Sequence, residues 1–143
     1  VDDSNWLTVM SDVLVATVTE VVADVAAVVL DTDPRAGHIA RATLTSIDVV
    51  GRRAGIRAAT TGWVDLTLFG HRVSAIIFDY DEDVAELQKE IRALALVAHE
   101  YLTGGGRVVE QRGWFRAREV VVIDTVDGEW VLGYRSSRNP RGL

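Results

Sequence analysis

Cysteine is absent from this 143-residue chain, proline occurs twice and lysine once, at Lys89. Without thiols there is no disulfide, no thiolate zinc site and no cysteine nucleophile, and an intracellular, cytoplasmic location is expected. Histidine is scarce: His38, His71 and His99 stand far apart, with no His-Glu-x-x-His spacing for a metal and no Gly-x-Ser-x-Gly elbow for a nucleophile. Internal repeats and low-complexity stretches are also missing. No basic segment followed by a short apolar run and a small-residue cleavage site opens the sequence, so no signal peptide is visible.

What is present is the composition of one globular core, 48% apolar and 25% charged. Residues 1–135 read as a single domain and 136–143 as a polar tail. Arginine in place of lysine, with abundant Ala, Val, Asp and Gly, is the bias of a GC-rich bacterial genome and carries no functional information. The net charge of −6 and pI near 5.0 oppose general attraction to phosphate, so nucleic acid is a disfavoured partner.

The clearest element lies in the second half. Val84, Leu87, Ile91, Leu94, Ala98 and Tyr101 recur at steps of three and four, which places them on one face of a helix. Asp83 and Glu86 have capping-box spacing, and Gly104 to Gly106 offer a left-handed exit. A first helix is expected from about Trp6 to about Leu30, stopped by Asp31, Asp33 and Pro34. Its Asp12, Glu20 and Asp24 form a narrow acidic stripe, which argues against a membrane span. Valine is costly in helices, so residues 21–30 could instead form a strand, with helix favoured for the first part of the segment. The rest of that helix is apolar enough to need cover from its own sheet and from a second body, the simplest being another copy of the chain.

Strand character appears from His38 to Val50, more weakly over 54–61, and clearly from Trp63 to Phe69, where Val64, Leu66 and Leu68 alternate with Trp63, Asp65, Thr67 and Phe69. A turn at Gly70-His71 leads into 72–78. Further strands follow from Val108, from Trp114 to Ile123, and, after the Asp127-Gly128 turn, from Glu129 to Tyr134. The expected class is α+β: an antiparallel sheet of about five to six strands with two long helices on one face, in the order α-β-β-β-α-β-β-β. That order is similar to secretion-chaperone-like domains and to roadblock-type dimerisation modules. The likeness is one of element order alone and transfers no residues.

Acids concentrate in the helices and arginines in the strands. The hydrophobic strand ending in Asp79-Tyr80-Asp81 has carboxylates at a spacing that can hold magnesium, and in haloacid dehalogenase-like phosphatases such a strand supplies nucleophile and acid. The later lysine and second acidic pair of that chemistry are missing. No catalytic, metal or cofactor residues are assigned. Trp63, Phe69, Trp114, Phe115, Arg116 and Arg118 instead supply the aromatic and arginine side chains enriched at protein-binding hot spots. The function expected is a non-enzymatic protein-interaction module acting as a homodimer, whether adaptor, secretion or assembly chaperone, or inhibitor. An alternative is a ligand-binding or enzymatic domain with a pocket between sheet and helices. A third is a single-stranded nucleic-acid binder using Arg116 and Arg118.

Overall fold

The computed structural model describes residues 3–32, 38–78, 83–114, 117–134 and 136–140. Helix α1 (Asp3–Val22) is followed by β1 (Ala26–Thr32), β2 (Ile39–Ser46), β3 (Arg53–Ala59), β4 (Trp63–Leu68) and β5 (Val73–Phe78). Helix α2 (Val84–Leu102) then precedes β6 (Arg107–Arg112), β7 (Ala117–Thr125), β8 (Gly128–Gly133) and β9 (Ser136–Arg138). All strands join one antiparallel sheet of order β1-β2-β3-β4-β5-β8-β7-β6, with β9 paired to β8. The β5–β8 junction is narrow, a single pairing of Ser74 with Gly133. There Ile76 N–H donates to Ser137 Oγ at 3.3 Å, tying β9 to β5 as well.

The α+β class and the antiparallel sheet are as expected, while the nine strands among the described residues exceed the five to six anticipated. Five strands, not three, separate the helices, and the likeness to chaperone-like and roadblock-type element orders ends there. The first helix stops at Val22 and not near Leu30; residues 26–32 form β1. Their β-branched side chains fit a pleated surface better than a helix once β2 is alongside. The weak stretch 54–61 is a full strand, because Ala54, Ile56 and Ala58 all reach the core. Ser136–Arg138, assigned to a polar tail, completes the sheet as β9, and Asn139 beyond it is buried. The Asp79-Tyr80-Asp81 motif lies outside the described residues.

Period-two alternation decides which side of the sheet is greasy. Register aligns Ala42, Ile56, Leu66 and Ala75 in one row across four strands, and all are buried beneath the helices. From α1, Met10, Leu14, Val18 and Val22 reach the same core, joined by Leu87, Ile91, Leu94 and Ala98 of α2. Val84, expected on that face, is 47% exposed in the first turn. The two helices also pack on each other, with Arg92 bound to Glu20 at 3.0 Å and His99 Nε2 3.4 Å from Asp24. One flank of α1 is thus covered by α2 within one copy, while Leu7, Val9, Val13, Val15 and Val21 stay half-buried.

Both ends of α2 are closed by identifiable groups. Asp83 Oδ1 accepts from the backbone N–H of Ala85 at 2.8 Å. At the other end, Leu102 O accepts from Ser46 Oγ at 2.7 Å, and Arg52 Nη1 donates to Tyr101 O at 2.9 Å and to Gly105 O at 2.6 Å. Glu100 O and His99 O receive the N–H groups of Gly105 and Thr103. Every carbonyl of the last turn is therefore partnered, much of it by the β2–β3 connection. Gly105 is required there: a Cβ would stand 2.6 Å from Glu100 O.

Candidate functional site

The sheet face turned away from the helices, across β1–β4, is where the chemistry-bearing side chains collect. Alternation that buries Ala54, Ile56 and Ala58 must place Arg53, Gly55 and Arg57 on this side. Pairing then sets Asp31, Arg41, Arg57 and Asp65 next to one another on four successive strands. Two arginines sit in the middle and a carboxylate at each end.

Each arginine is held by the carboxylate beside it. Arg41 donates from Nε and Nη2 to the two oxygens of Asp31 at 2.9 and 3.0 Å. This hydrogen-bonded guanidinium holds the Asp31 carboxyl below the usual carboxylate range, against a smaller opposing effect of desolvation. Arg57 makes the same fork to Asp65, whose side chain is almost wholly buried. The fork also lays the Arg57 guanidinium 5.1 Å from the centre of the Trp63 ring.

A second stack lies at the other end of β4. Phe69 folds back over Gly55, where an added Cβ would meet its ring at 3.0 Å, and the Arg53 guanidinium sits 5.5 Å from that ring. Glycine at 55 is what lets the ring approach the strand this closely. Asp31, Arg41, Thr43, Arg53 and Phe69 surround a shallow hollow of about 450 Å³. Arg53 is in no ion pair among the described residues.

The six residues singled out from sequence are not one patch. Trp63 and Phe69 share the open face at opposite ends of β4. Arg118 lines a different cleft of about 500 Å³ with His71 and Arg72 of the β4–β5 turn and with Tyr134. Trp114 is 92% exposed beyond the end of β6, and Phe115 and Arg116 lie outside the described residues. Trp6 and Trp130 are core residues. Arg41, Arg53 and Arg57, with Asp31, were missed. The signal was present in Arg53-Ala-Gly-Ile-Arg57, where arginine and glycine alternate with Ala54 and Ile56, but with Ile56 as its single large hydrophobic residue the stretch does not stand out as a strand.

Among the described residues no three His, Asp or Glu side chains gather as a metal set. His71 stacks edge-on against Tyr101 at 5.9 Å, and His99 faces Asp24 and Glu100, so both are engaged in packing or pairing. What the open face offers is planar cations set against aromatic rings, Arg57 at Trp63 and Arg53 at Phe69. Compared with models of known protein families, with curated proteins and with solved structures, the chain matches none.

Proposed function

We propose that this chain is a non-enzymatic protein-interaction module, working as a pair of copies, that receives another protein on the open face of β1–β4. The observation that carries this reading is the prior immobilisation of the face. Arg57 is locked between Asp65 and Trp63, and Arg53 rests on Phe69 across Gly55. Tryptophan and arginine dominate binding energy at protein interfaces, and side chains ordered in advance lose little entropy on docking. The hollow beside Arg53 and Phe69 is shallow and open, which fits a protein surface better than a small molecule.

The test is affinity capture from the native host with the wild-type chain and with Trp63→Ala, Phe69→Ala and Arg53→Glu variants of unchanged circular dichroism. A stoichiometric protein kept by the wild type and lost, with affinity reduced about tenfold or more, by the variants is the expected result. Equal retention by all variants overturns the proposal. Retention of single-stranded nucleic acid with a steep salt dependence would assign the arginine and aromatic face to stacked bases instead.

A further inference from the structure

The two edges of the sheet are built differently. β6, at one end, reads Arg-Val-Val-Glu-Gln-Arg, with charged side chains at both termini and in the middle. β1, at the other, reads Ala-Ala-Val-Val-Leu-Asp-Thr over seven residues, with one charge and no proline. Only β2 pairs with it among the described strands. Proteins usually blunt an exposed edge with charge, proline, a bulge or a covering element, because unpaired N–H and C=O groups invite another strand. Among the described residues β6 carries such protection and β1 does not.

The direction of the free groups follows from the ladder. Ile47 N–H donates to Val25 O, so odd-numbered residues of β1 bond inward to β2. Ala26, Val28, Leu30 and Thr32 therefore direct their N–H and C=O outward. Val28 and Leu30 also face the helix layer and are only half-buried at the edge of the core. On the open face Val29 is 62% exposed.

We propose that the pair of copies forms by antiparallel pairing of β1 with β1 of a second copy about a twofold axis at Val29, making one continuous sheet through both. This rests on the pairing reading above and names its surface. In the register that overlaps β1 end to end, Val28 exchanges hydrogen bonds with Leu30 of the second copy and Ala26 with Thr32. Val29 meets its own symmetry mate in a non-hydrogen-bonded pair, where side chains approach closest. Ala27 falls opposite Asp31, and its small side chain leaves room for the Asp31–Arg41 fork. Sliding the strands toward their carboxyl ends would bring the two Asp31 residues opposite each other, so charge selects the same register. The half-buried Val28 and Leu30 would then cover each other, and the open faces of both copies would lie on the same side of the joined sheet.

The experiment uses Val29→Lys and Val29→Glu, changes at an exposed side chain that leaves the core intact. Sedimentation of the wild type is expected to give a dimer, and each variant alone a dimer weakened about tenfold or more by like charges across the axis. Mixing the two variants restores a heterodimer, because lysine then faces glutamate. In hydrogen exchange read by NMR, the amides of Val28, Leu30 and Thr32 gain protection as the wild type dimerises, while those of Ala27, Val29 and Asp31 are protected throughout. A wild type that stays monomeric at high concentration overturns both the pairing reading and its surface. A dimer that Val29→Lys leaves intact, with Val28 and Leu30 amides still exchanging freely, overturns the surface alone. A monomer whose outward amides are protected only by an added extended peptide overturns the second copy as occupant.

Discussion

Replacing Arg52 with alanine removes the largest single grip on the end of α2. One guanidinium nitrogen donates to Tyr101 O and Gly105 O at 2.9 and 2.6 Å, and the group lies 4.6 Å from the Tyr101 ring centre. A hydrogen bond from a charged group contributes about 1.5 kcal/mol at the low end, and a partly exposed cation–π contact about 0.5 kcal/mol. Arg52 is half-buried and Tyr101 O keeps its bond from Gly104 N–H, so the terms do not add in full. The expected loss is about 2 kcal/mol, or about 6–8 °C in melting temperature for a chain of this size. Arg52→Lys keeps the charge near the helix C-terminus but not the planar stack, and recovers about half of the loss. Urea unfolding of the three proteins, with hydrogen exchange of residues 99–105, checks this. A loss in Arg52→Ala below about 0.5 kcal/mol, or equal loss in both variants, would refute the account of this clamp.

Gly105→Ala places a Cβ against Glu100 O and forces the Gly105 N–H out of its 2.8 Å bond, so a destabilisation of about 2 kcal/mol is expected by thermal unfolding. Asp31 supplies the pH dependence. Its carboxyl is held below the ordinary range by Arg41, so the pair's stabilisation is present above about pH 4 and fades as pH falls through the lowered value. Both side chains are more than a third exposed, so solvent screening limits the effect to less than about 1 kcal/mol. Stability of wild type minus Arg41→Gln, measured at neutral pH and near pH 2.5, should shrink on acidification.

The parts legible in the chain are those where one local rule acts without competition. The second helix has an unbroken repeat of three and four, an acidic cap at Asp83 and glycines at its exit, and the structure places its ends there. The alternation of Val64, Leu66 and Leu68 with Trp63 and Phe69 likewise identified a strand with one greasy side. Where two rules met, the reading split. Residues 21–30 carry an apolar run that suits a helix and β-branched side chains that suit a strand. Only the neighbouring β2, pairing Ala26 to Thr32 with Ser46 to Ala40, decides between them. The missing β9 and the weakly marked β3 have too few large hydrophobics to be seen without the strands that flank them.

The same limit applies to the candidate face. Sequence found Trp63 and Phe69 because an aromatic on the polar side of an alternating strand is conspicuous in isolation. It did not find Arg57, because an arginine acquires meaning only from the Asp65 that register sets across from it and the Trp63 ring beneath it. By itself, then, the chain determined class, core composition and the axial repeat of its elements, since these depend on neighbours within a few residues. Tertiary structure alone decided which charges meet, which helix covers which, and which strand is left at the edge, because each is a contact between residues far apart along the backbone.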